Sequence, residues 1–140
     1  MKMNTKLLYF KTYITSQIYT ACHFSNYYVL YPTTMDKALN YIFEIQHLSL
    51  NLQIKQAKQT LKIRKFLPLY INNELILFPL NSKRAPIQYY INAMAIIGLK
   101  SLQYNTIIYF ENNTCIEVKV PYTFVYKKWQ ESISLSHHSI

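Results

Sequence analysis

The sequence predicts an α+β fold: a single domain, residues 1–140, with a mostly antiparallel β-sheet, one helix before a basic segment and another helix at the C-terminus. Three observations predict it. Short β-branched and aromatic runs recur between Pro and Asn punctuation, as strands joined by tight connections do. Two stretches, 34–47 and 122–135, carry helical character instead. Apolar residues make up 51% of the 140 positions, which supplies a modest core. No internal repeat, low-complexity tract or long linker divides the chain.

Residues 1–24 contain Lys2, Lys6 and Lys11 among many apolar side chains. Lysines and polar Thr, Ser and Gln interrupt every apolar run, so the stretch lacks the clean apolar centre of a secretory signal. Residues 1–25 are therefore read as folded or only loosely ordered protein. Tyr27-Tyr28-Val29-Leu30-Tyr31, stopped by Pro32, reads as a strand. From Thr34 the period changes. Thr34 is a candidate N-cap, Asp36 suits the positive end of a helix, and Ala38, Leu39, Ile42, Phe43 and Ile45 are mostly three or four apart. A helix is expected from Thr34 to about His47.

Residues 45–73 hold no carboxylate but do hold Lys55, Lys58, Lys62, Arg64 and Lys65. Lys55 and Lys58 are spaced to share a helical face, while Leu61 and Ile63 alternate with Lys62 and Arg64 as in a half-buried strand. A generic exposed face mixes signs, so an unmixed one is a candidate phosphate-facing surface. Leu69–Ile71, a turn at Asn72-Asn73, and Leu75–Phe78 predict a hairpin ended by Pro79. Asn81 to Pro86 is a polar loop carrying Lys83 and Arg84. Ile87 to Leu99 is β-branched and aromatic, then apolar, and Gly98 ends or bends it. Thr106–Phe110 and Cys115–Val120 flank the turn Glu111-Asn112-Asn113-Thr114 and form the clearest hairpin signal. Tyr122 to about Leu135 reads as helical or mixed, with Phe124, Trp129 and Ile133 as core contacts.

The charge balance narrows the partners. Lys and Arg number 15 against 6 Asp and Glu, giving +9. That favours a polyanion, either nucleic acid or an anionic membrane surface. Ile, Lys, Asn and Tyr are abundant and share A/T-rich codons, so the 14 tyrosines are not by themselves a stacking surface. Cys22 and Cys115 are far apart and read as reduced thiols of a cytosolic protein. They and His23, His47, His137 and His138 show no metal-ligand spacing. A single Gly excludes phosphate-binding glycine loops. The carboxylates do not pair at a catalytic spacing and no Ser sits in a nucleophile elbow. Neither a catalytic residue nor a cofactor is expected, and no apolar run is long enough to span a membrane.

Residues 75–131 carry a family resemblance. Ile76-Leu77-Phe78-Pro79 followed by Ser82, then Ile91 and Ile96, then Ile107 to Asn112, Ile116 to Val120 and Tyr122 appear in one order and spacing. Upstream, Ile42 to Ile45, Lys55-Gln56-Ala57 and Pro68 to Ile71 add weaker matches. Together, over roughly Thr34 to Glu131, they resemble the ComK-type competence transcription factors. Pro121 stands where that family has Ser, and Ile54 where it has a Gly before the basic patch. The chain also stops soon after the hairpin, without the family's longer C-terminal extension. A weak binder, a partner subunit of a full-length paralogue and a decayed copy are all compatible with that.

The resemblance implies an activator that binds A/T-rich promoter boxes in double-stranded DNA and switches on DNA-uptake genes. It also implies multimers, homo-oligomers or hetero-oligomers with a paralogue, that contact the minor groove, and control by a Clp-protease adaptor. The expected location is cytoplasmic, on the nucleoid when DNA is bound, with no membrane partner. A narrow A/T minor groove is strongly negative and favours inserted Arg. The only two arginines, Arg64 and Arg84, are the candidate groove probes. Lys55, Lys58, Lys62, Lys65 and Lys83 are the candidate phosphate contacts. Two rival readings remain. One is an RNA or single-strand binder stacking bases on Tyr89, Tyr90, Tyr104 and Tyr109. The other is a protein-interaction module that antagonises a full-length factor through an exposed apolar patch.

Overall fold

The computed structural model describes residues 6–138, and their alternating apolar runs build two antiparallel sheets. In chain order the elements are β1 (Leu7–Ile14), β2 (Ile18–Phe24), β3 (Tyr28–Tyr31), α1 (Met35–Ile45), α2 (Leu50–Leu61), β4 (Leu69–Asn72) and β5 (Leu75–Pro79). They continue with β6 (Tyr89–Asn92), a 3₁₀ turn (Ala93–Ala95), β7 (Ile96–Leu102), β8 (Asn105–Phe110), β9 (Cys115–Val118) and α3 (Tyr122–His138). The α+β class and the antiparallel pairing agree with the sequence reading. The six-stranded sheet runs β3-β2-β1-β6-β5-β4 and the three-stranded one β7-β8-β9.

The N-terminal stretch, given no element from sequence, supplies the middle of the large sheet. Leu8, Phe10 and Thr12 turn inward and are buried while Tyr9 and Lys11 alternate with them. Residues 1–5, also part of that expectation, lie outside the described residues. Cross-strand register puts Phe10, Tyr90 and Cys22 on one sheet face and Tyr9, Ile91 and His23 on the other. On the first face they join Met35, Leu39 and Phe43 of α1 and Leu69, Ile71 and Leu77 in one core. The second face joins Leu8, Phe78 and Ile91 to Ile108, Phe110 and Val118 of the small sheet and Val125 of α3.

The predicted helix from Thr34 is α1. Thr34 occupies its N-cap position in extended conformation, though its side chain makes no capping bond. The strand expected at Leu61 to Arg64 is not there. Leu61 is the last residue of α2, and Lys62 closes that helix in a left-handed conformation, φ 55°. Leu50, Ile54, Ala57 and Leu61 form a stripe spaced four, three and four, and Ser49 Oγ caps it by accepting the Leu52 N–H at 3.3 Å. Two alternations were too short to fix the period against that stripe. Thus α1 is the helix expected before the basic segment, and that segment begins on a second helix, α2.

The run Ile87 to Leu99 divides at Asn92, because β6 belongs to the large sheet and β7 to the small one. Gly98 does not end β7 but lies at a register shift within it. Asn92, fully buried, holds the junction. Its Oδ1 accepts the N–H groups of Ile76 (3.2 Å) and Met94 (3.1 Å), and its Nδ2 donates to the carbonyls of Leu7 (2.8 Å) and Glu74 (3.1 Å). Asn92→Ala removes the partner of four backbone groups, one of them (the Ile76 N–H) buried and three part-buried, and a buried orphan costs about 1–3 kcal/mol. We expect a loss of about 4 kcal/mol in urea denaturation, with no comparable loss for Asn72→Ala on the exposed turn.

The hairpin of β8 and β9 forms where expected, with Asn113 at φ 67° in its turn. Helix α3 extends to His138 and turns Val125, Lys128, Ser132 and Leu135 inward. Phe124 and Trp129 pack at the edge of the core, and Trp129 Nε1 donates to the Ala93 carbonyl at 3.1 Å. Among the described residues no helix is long and apolar enough to cross a membrane.

Candidate nucleic-acid interface

Three chain segments carry the predicted basic residues. Helix α2 presents Lys55 and Lys58, both exposed and one turn apart, while Ala57 faces inward and is fully buried. After Lys62 the chain carries Arg64 and Lys65, also exposed, toward β4. This stretch is anchored from beneath by Lys128 of α3. Lys128 Nζ sits 2.7 Å from Glu131 Oε1 and donates to the carbonyl of Phe66 at 3.1 Å and of Lys65 at 3.5 Å. Phe66, itself at φ 53°, meets the ring of Phe124 edge-on at 5.2 Å. The third segment, after Pro79, carries exposed Lys83 and Arg84. Gln88 fixes its course: Nε2 donates to the carbonyls of Lys83 (2.9 Å) and Ala85 (3.3 Å).

Lys58, Arg64, Lys65 and Lys83 line one cleft of about 460 Å³ between α1, α2 and the 79–83 loop. Asp36 is the one carboxylate in that lining. Lys55, Lys62 and Arg84 lie outside it, so the two arginines do not converge in one cleft. None of the seven pairs with an acid: among the described residues the ion pairs are Lys6 with Glu111 and Lys128 with Glu131. Tyr90 is part of the cleft wall, and burial, with Asp36 adding to it, pushes its hydroxyl up to about 12.

A second cleft, about 480 Å³, shares Asn81 with the first and is lined by Lys11, Tyr13, Tyr89, Glu117 and Lys119 among others. Lys11 Nζ stands 5.3 Å from the centre of the Tyr89 ring. Neither Lys11 nor Lys119 was a candidate DNA contact from sequence. Lys11 lies in β1 and Lys119 just after β9, and only the folded chain brings them to the walls of one cleft.

The four tyrosines offered as a stacking platform do not form one. Tyr90 is 6% exposed and belongs to the core, and Tyr104 is 84% exposed at the turn between β7 and β8. Tyr89 and Tyr109 are half-buried on different sheets. Rings do stack elsewhere: Tyr9 on His23 at 4.3 Å and His23 on Tyr28 at 5.3 Å. Desolvation, then the Lys11 charge, holds His23 below its ordinary value of 6.5. As pH falls through about 6.5 the unfolded chain therefore takes up this proton first, and stability present above that pH declines. Melting temperature should drop between about pH 7 and pH 5, and His23→Phe, which keeps the stack, should flatten that part of the curve.

A model of the family described as ComK protein matches residues 2–139, nearly the whole chain. The chain belongs to the ComK family. That family is one of competence transcription factors. No curated protein and no solved structure matches it significantly. The ComK match extends beyond the 34–131 stretch that carried the resemblance and takes in β1 to β3.

Proposed function

We propose that the chain is a DNA-binding regulator that recognises A/T-rich promoter boxes of DNA-uptake genes through the face bearing the first cleft. One observation carries this reading. Four cations from three separate segments surround one cleft, and among the described residues none is spent on an ion pair. Unpaired cations keep their charge available for phosphate, and releasing condensed counterions from DNA drives association. Lys55, Lys58, Lys62, Lys65 and Lys83 serve as phosphate contacts, and Arg64 and Arg84 reach into the minor groove from two points. The second cleft continues this track, with Lys11 and Lys119 as added phosphate contacts.

The active form is a homo-oligomer. Strand β3 is an open edge of the large sheet, and residues 12–35 carry no Lys, Arg, Asp or Glu. Tyr13, Ile14, Ile18, Tyr27, Tyr28 and Leu30 of that stretch are exposed. Two copies of a +9 chain meet with least repulsion on such a surface.

The test is competition between an A/T-rich duplex and a G/C-rich duplex of equal length. We expect preference for the A/T-rich duplex, reduced about tenfold by Arg64→Ala or Arg84→Ala, as loss of a groove contact worth about 1–3 kcal/mol requires. Equal affinity for both duplexes would leave only a basic surface.

A further inference from the structure

We infer that the cleft between α1 and α2 also binds a small amphipathic carboxylate of the fatty-acid class. DNA contact explains its rim and leaves its floor unexplained. Below Lys58, Arg64, Lys65 and Lys83 the lining is apolar: Leu39, Leu50, Ile54, Leu67 and Leu69. A phosphodiester backbone gains nothing from such a floor.

Tyr90 supplies the second observation. Its side chain lines the cleft, and its hydroxyl makes no hydrogen bond among the described residues. The hydroxyl is not sealed off by the fold, so it opens into the cleft with a proton to donate. A ligand oxygen in the cleft satisfies it. The rim decides the ligand's charge, since four cations face one carboxylate, Asp36. The floor decides the rest, an aliphatic tail, and the volume of about 460 Å³ suits one small molecule rather than a helix or a peptide strand. Its head group takes the Tyr90 hydroxyl and the cationic rim, and its tail lies against Leu39, Leu50 and Ile54.

A consequence rests on the DNA-binding reading above: the carboxylate neutralises the rim that would grip phosphate, so ligand and duplex compete.

The test is calorimetric titration of the full chain, without DNA, with decanoate and with decanol. We expect decanoate to bind about tenfold more tightly than decanol, as a hydrogen bond to a charged group is worth about 1.5–3 kcal/mol. Tyr90→Phe keeps the ring and should weaken decanoate about tenfold, with decanol binding and melting temperature unchanged. No binding, equal binding of acid and alcohol, or a Tyr90→Phe variant that binds decanoate like wild type would overturn the proposal. Decanoate is then added to a preformed complex with duplex. Release supports the shared rim, and retention of duplex by decanoate-saturated protein removes the competition. A chain that binds decanoate but no duplex at all refutes the DNA reading and leaves the ligand site standing.

Discussion

Arg64→Glu combined with Lys83→Glu should lower affinity for duplex DNA by about a hundredfold or more near physiological salt. The two side chains come from different loops and share one cleft rim, and both are exposed and free of acidic partners. Reversal therefore replaces two attractions by two repulsions at one place on the duplex, with no internal pair broken. Melting temperature should stay close to that of wild type, because exposed substitutions away from packed features stay within about 0.5 kcal/mol. Fluorescence anisotropy with a labelled duplex reads the effect. Lys100→Glu combined with Lys127→Glu makes the same change in net charge on exposed residues of β7 and α3. That control should lose far less affinity. Equal losses in the two variants would mean that only total charge matters.

Lys128→Ala should destabilise the fold by about 3–5 kcal/mol, the usual cost of removing one partner of a buried pair. Lys128 is 5% exposed. Its removal leaves the Glu131 carboxylate without its cation and the carbonyls of Lys65 and Phe66 without their donor. Urea denaturation measures the loss. Lys128→Met with Glu131→Leu should recover most of it, because a well-packed apolar pair can replace a buried ionic one at little cost. DNA affinity should also fall in the single variant. Lys128 is too buried to reach a phosphate, but it holds the stretch from which Arg64 and Lys65 project.

Much of this architecture was legible where a pattern ran long enough to fix its period. The helix begun at Thr34, the hairpin around Asn113 and the unmixed cations from Lys55 to Lys65 are all local signals. What escaped was non-local. The stretch 7–24 looked irregular because Lys11 and polar Thr, Ser and Gln interrupt it, yet Lys11 lies beside Tyr89, far away in sequence, and pairs with it across β1 and β6. Lys62 and Arg64 imitated a strand because a helix C-terminus in left-handed conformation exposes alternate residues much as a strand does. Lys128 carries charge into the core, which no hydropathy pattern anticipates, because its partners lie in another part of the chain. The convergence of Lys58, Arg64, Lys65 and Lys83 is likewise a product of topology. Sequence named the residues and the fold brought these four to one cleft.

The most direct measurement of the central claim is the salt dependence of duplex binding. Nine cations, with Lys11, Lys55, Lys58, Lys62, Lys65, Lys83 and Lys119 on phosphate and Arg64 and Arg84 in the groove, predict a slope of log affinity against log salt of about −8. Replacing the four cleft residues, Lys58, Arg64, Lys65 and Lys83, by Ala should bring that slope to about −4.5. A slope unchanged by those four substitutions would contradict the account, because the chain would then hold DNA through some other surface.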